Sequence, residues 1–66
     1  MDDILKGMLA ELMKIRLKRF LTWKKLAKEI GISNMTLTPM RKGNKVGNDF
    51  TRERIRRYIE AQKQGE

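Results

Sequence analysis

Apolar residues recur at three- and four-residue intervals almost from end to end of the chain, and this period limits its fold more than any other feature. The alternation of a half-buried strand is absent, and Val46 is the only valine. The expected class is all-α, a small four-helix arrangement. With 66 residues the chain supports one domain, spanning 1–66. A domain this small buries only ~60% of the surface its unfolded form exposes, so its core is marginal. No apolar run approaches the ~20 residues of a membrane span. Met1-Asp2-Asp3 is acidic where a secretion signal would be basic. The expectation is a soluble, cytoplasmic protein with no membrane partner.

Local signals divide the chain. Asp2 or Asp3 caps a first helix predicted to run to about Phe20. It carries two apolar stripes of equal spacing, Ile4-Met8-Leu12-Ile15 and Leu9-Met13-Leu17-Phe20. Two stripes imply either a helix buried from both sides or one with a face for a partner. Thr22 reads as the N-cap of a short second helix with Trp23, Leu26, Ala27 and Ile30 on one face. Gly31 closes it, since glycine reaches a left-handed exit without steric cost. Ser33 caps a third helix with Leu37 and Met40 inward, ending near Gly43. Gly43 to Asp49 has loop chemistry. A last helix is expected from about Thr51, with Phe50, Ile55, Tyr58 and Ile59 inward, fraying toward Glu66.

Charge then restricts the partner. The formal net charge is +8. Lys14, Arg16, Lys18, Arg19, Lys24, Lys25 and Lys28 fall in a stretch with no acid, Leu12 to Lys28. A second basic set, Arg41, Lys42, Lys45, Arg52, Arg54, Arg56 and Arg57, is diluted only by Asp49 and Glu53. An excess of this size points to a polyanion. Catalytic chemistry finds little support. There is no His and no Cys, Ser33 is the only serine, and the acids are scattered without a paired site. Neither an enzyme nor a metal site is expected.

The stretch Thr22-Trp23-Lys24-Lys25-Leu26-Ala27-Lys28-Glu29-Ile30-Gly31-Ile32-Ser33, continued through Arg41-Lys42-Gly43, resembles the helix-turn-helix of phage-repressor-like DNA-binding proteins (Cro- and lambda-repressor-type, xenobiotic-response-element-like). Small Ala27 lets the second helix cross closely, and Gly31 makes the turn. Leu26, Ile30, Ile32, Leu37 and Met40 fix the angle, while Thr22 and Ser33 cap the two helices. Ile15-Arg16 is similar to the leucine-arginine pair that often closes the family's first helix.

The resemblance implies a helix-turn-helix at 22–43 in a lambda-repressor-like fold that binds double-stranded DNA. The implied role is that of a small bacterial or phage transcriptional regulator, most simply a repressor. Neither a cofactor nor a small-molecule ligand is implied. Its second helix would enter the major groove. Carried onto this chain, base contacts fall to Ser33, Asn34, Met35, Thr38 and Lys42, and phosphate contacts to Thr22, the Trp23 amide, Lys24, Arg41 and Lys45. Pro39 departs from the family pattern and predicts a kink or a stop at Thr38.

The second stripe, Leu9, Met13, Leu17 and Phe20, predicts a homodimer interface, and with it a palindromic site. Two other uses of the same fold fit the residues. One is a protein-interaction module or phage-encoded inhibitor, motivated by Pro39 and the extra stripe. The other is an architectural or excisionase-type DNA-binding factor.

Overall fold

Four helices account for the fold in a computed structural model that describes residues 3–64: α1 (Asp3–Arg19), α2 (Trp23–Ile30), α3 (Asn34–Arg41) and α4 (Asp49–Gln64). No strand occurs among the described residues. The expected cap at Asp2 and the end of the frayed segment, 65–66, lie outside them.

The short helices owe their limits to side chains next to them. The Thr22 hydroxyl accepts the Lys25 amide at 3.1 Å, and the Ser33 hydroxyl accepts the Met35 amide at 3.0 Å. At the far end of α2, Gly31 turns left-handed (φ 92). Its amide donates to the carbonyls of Ala27 and Lys28, and the Ile32 amide donates to Ala27. A Cβ at Gly31 would strike the guanidinium of Arg54.

Two boundaries differ from expectation. α1 stops at Arg19 because Phe20 itself adopts a left-handed conformation, φ 55. α4 begins at Asp49, ahead of Thr51, because Asn48 caps it: its Oδ1 accepts the Thr51 amide at 2.8 Å.

Pro39 does not stop α3 at Thr38, one of the two outcomes expected from sequence; the helix runs through it from Asn34 to Arg41. Proline leaves the Met35 carbonyl without its usual donor. The helix is held on both sides of that gap. The Thr38 hydroxyl donates back to the Asn34 carbonyl at 2.8 Å, and the Asn44 amide donates to the Pro39 carbonyl at 2.9 Å.

Packing is one core with a contribution from every helix: Leu5 and Leu12, Leu26, Ala27 and Ile30, Leu37 and Met40, Ile55 and Ile59. α1 lies along α4, and α2 touches both α3 and α4. Truncating one such side chain to alanine typically costs ~2–5 kcal/mol, a large share of what a domain this size has.

The inward face of α1 keeps Met8, Leu12 and Ile15 of the expected stripe but begins at Leu5 in place of Ile4. Leu5 is buried and Ile4 is exposed, while Met8, Leu9 and Ile15 pack partly against the core. A step of seven from Leu5 to Leu12 is two helical turns, and it competes with the step of four that begins at Ile4. Phe50 also corrects the reading. It is 67% exposed under the Arg54 guanidinium (4.8 Å), and Thr51 takes the inward place.

Candidate functional site

The corner between α2 and α3 brings together Lys24, Ser33, Asn34 and Met35, four of the ten residues expected to bind. A shallow concavity there is lined by Lys24, Lys28, Ile32, Ser33, Asn34 and Met35. Lys24 and Lys28 share a side of α2 because they are four residues apart. Leu26, Ala27 and Ile30 hold the opposite side in the core. The two ammonium groups therefore flank the amino end of α3, whose orphan amides also favour negative charge. Lys28 was not among the expected phosphate ligands, although its spacing from Lys24 announced it.

At the amino end of α2 the structure places a second cationic arrangement. Two guanidinium groups lie over the Trp23 ring, Arg16 at 5.0 Å and Arg41 at 4.5 Å from its centroid. Trp23 is half-buried against the core and also a platform for both arginines. Arg16 is further steadied by the Leu21 carbonyl at 3.4 Å and by the Met13 sulfur at 3.5 Å. Since Thr22 serves Lys25, the Trp23 and Lys24 amides have no acceptor among the described residues. Expected phosphate ligands Thr22, Trp23, Lys24 and Arg41 thus converge on one helix end, with Arg16 added. Lys45 is exposed in the loop that follows α3, and the structure does not bring it to that end.

Facing away from the core on α3, Met35 is exposed and Thr38 and Pro39 are half-buried, at i, i+3 and i+4, and the C-cap residue Lys42 is exposed. Met35 is 86% exposed. Ser33 and Thr36 are exposed at the start of the helix. Asn34 sits to the side, half-buried, with its Oδ1 shut off from solvent and without a partner. Reading a base edge with both amide atoms would require that side chain to rotate outward. The middle of this outward face is thus short, weakly polar and half-buried, with Pro39 on it, which the sequence treated only as a helix breaker.

Elsewhere, opposite charges are already matched. Arg56 pairs with Glu53 and with Glu60 (2.7 Å), and Arg57 with Glu53 at 3.2 Å. Hydrogen bonding from Arg56, helped by Arg57, holds the Glu53 carboxyl below its ordinary pKa. The Arg19 guanidinium donates to Glu29 at 2.6 Å and to the Tyr58 hydroxyl at 3.0 Å, and Tyr58 donates to Glu29 at 3.1 Å. Burial, then the Glu29 carboxylate, pushes the Tyr58 phenol up. A groove between the end of α2 and the start of α4 is lined by Glu29, Tyr58, Glu53 and Arg57 together with Phe50 and Arg54.

Of the four residues expected at a dimer interface, Leu9 turns partly into the core. Met13, Leu17 and Phe20 remain exposed, at 41%, 58% and 94%. No described helix is long and apolar enough to cross a membrane. Comparison with protein-family models, curated proteins and solved structures finds no match.

Proposed function

We propose that the chain binds double-stranded DNA with α2 and α3 as a helix-turn-helix, and that it serves as a small bacterial or phage transcriptional repressor. In this reading α3 lies in the major groove and α2 crosses the backbone. One observation carries the reading: a pair of capped short helices joined at Gly31, with Lys24 and Lys28 beside the amino end of the second helix. The Arg16–Trp23–Arg41 cluster and the unused amides of α2 offer a second place for a phosphate. Ser33, Met35, Thr38 and Lys42 would meet base edges, Met35 and the Thr38 methyl by contact with thymine methyl groups.

The test is duplex binding as a function of salt. With roughly 4 to 6 phosphate contacts per monomer, log K should fall against log salt with a slope of about −0.9 per contact. A flat response between low and physiological salt would sink the proposal. Selection from random duplexes should then enrich a defined site.

The weakly polar face of α3 favours a second reading, a protein-binding module on the same frame. Duplex DNA binding that is absent even at low salt would decide for it.

A further inference from the structure

Three helices meet at Trp23. Arg16 stands in the last turn of α1, Trp23 opens α2 and Arg41 ends α3. Both guanidinium carbons lie within 5.0 Å of the one ring centroid. Neither arginine forms an ion pair among the described residues. Acids are scarce around them. None occurs from Leu12 to Lys28 or on α3, and Glu29 of α2 is held by Arg19 and Tyr58. Arg16 donates to the Leu21 carbonyl and the Met13 sulfur, and Arg41 donates to no group among the described residues. Both arginines are half-buried, and the Nε of each is shut off from solvent without a partner. A guanidinium keeps its charge in such a place. The ring offsets part of that charge, and no carboxylate offsets the rest.

We propose that this junction of three helices binds a small dianionic phosphate, either inorganic phosphate or the phosphate group of a monoester. Charge sets the valence of the ligand. Two guanidinium groups without a carboxylate match a dianion better than the single charge of a phosphodiester. The directions of the donors set its shape. One guanidinium comes from α1 and the other from α3, and the Trp23 and Lys24 amides have no acceptor among the described residues. A tetrahedral oxyanion can accept from donors that converge from several directions, whereas a planar carboxylate serves fewer of them. The amides assist the site, and the pair of guanidinium groups defines it. A ligand held by α1, α2 and α3 together stabilises the folded chain by mass action. This goes beyond a resting place for a duplex phosphate. A free dianion would compete with duplex for the same groups, and that consequence alone rests on the DNA-binding reading.

Trp23 is the only tryptophan in the chain, so its fluorescence reads the site directly. The test titrates the intact chain with inorganic phosphate at mildly alkaline pH, where the ion is a dianion, against sodium chloride at matched ionic strength. Dimethyl phosphate supplies a diester for comparison, and acetate a carboxylate. Phosphate should change the emission saturably and raise the melting temperature. Dimethyl phosphate and acetate should bind at least tenfold more weakly, and chloride should give no saturable change. Arg41→Met keeps an apolar stem beside Trp23 and removes one charge. It should lose at least tenfold in phosphate affinity, while Lys63→Met, which removes a charge from the far end of α4, should bind as wild type does. A cooperative melt of Arg41→Met without phosphate separates loss of the site from loss of fold. No saturable response beyond that of chloride would overturn the proposal. So would equal binding of dimethyl phosphate or acetate, or equal losses in the two variants. Duplex binding without a phosphate response ends this proposal and leaves the DNA reading standing. A phosphate response without duplex binding does the reverse.

Discussion

The α2–α3 corner and α4 are both rich in basic residues, and they use them in opposite ways. On α2, and in and after the last turn of α3, Lys24, Lys25, Lys28, Lys42 and Lys45 form no ion pair among the described residues. On α4, Arg56 and Arg57 are matched to Glu53 and Glu60, and Arg54 covers Phe50. A net charge of +8 is therefore not an even coating. The field available to a polyanion comes mainly from lysines of the corner, while α4 spends its arginines on its own helix. Charge counted along a sequence suggests a class of partner to test, and charge after pairing suggests the surface on which to test it.

The largest expected effect breaks this comparison directly. Replacing Lys24 and Lys28 together by alanine should reduce the salt slope of duplex binding by about 2, because two phosphate contacts are lost. On the same relation affinity should fall about 30-fold near ~0.15 M salt. The matched control, Arg56→Ala with Arg57→Ala, should leave both quantities nearly unchanged. Fluorescence anisotropy with a fixed duplex measures both. Equal losses from the two double variants would show that pairing does not decide which surface binds, and the distinction drawn between the regions would fail.

Backbone effects come next in size, and they contrast the regions in another way. Gly31→Ala should lower stability by about 1–2 kcal/mol, since alanine must adopt the left-handed conformation and displace the Arg54 guanidinium. Gly31→Asn should cost less, asparagine being tolerant of that conformation. Thr22→Ala should cost about 1 kcal/mol by removing a cap. Asn48→Ala at the start of α4 should cost less than Thr22→Ala. An 8-residue helix depends on its ends, whereas the 16 residues of α4 have more internal bonds to hold them. Urea midpoints of the four variants would check that order, and a costlier loss at Asn48 would contradict it.

These same features mark how far the sequence could be read. The helical class, the caps at Thr22 and Ser33, the turn at Gly31 and the inward residues of α2 and α3 all follow from local chemistry, because a cap or a glycine exit needs only its neighbours. α1 was harder. Leu5 and Ile4 are adjacent, either can start a helical stripe, and only the packing of α4 decides between them. The site was legible where spacing carried it, as with Lys24 beside Ser33 and Asn34. It was not legible where distant segments meet. Nothing local in Arg16, Trp23 and Arg41 announces that they stack. Nor does sequence reveal that Arg56 and Arg57 are taken by Glu53, since an acid three or four residues away is one option among several for an exposed arginine.

The smallest expected effect sharpens the claim that α4 keeps its charges for itself. Hydrogen bonding from Arg56 holds the Glu53 carboxyl below its ordinary value in the folded chain. A carboxylate with a depressed folded pKa adds stability above its unfolded pKa, and that gain disappears as pH falls through the folded one. Wild type should therefore be slightly more stable than Glu53→Gln at neutral pH. The difference should close progressively below the ordinary glutamate range, and high salt should shrink it at every pH because the pair is exposed. Urea midpoints of the two proteins from neutral to acidic pH measure this directly. The same variant also frees Arg57 and leaves Arg56 only its pair with Glu60, and it should still bind duplex DNA as wild type does if α4 stands apart from the binding surface. Tighter duplex binding by Glu53→Gln would show that those arginines lie within reach of the phosphates, held in check by their own helix. α4 would then belong to the binding surface, and pairing would be a restraint on it.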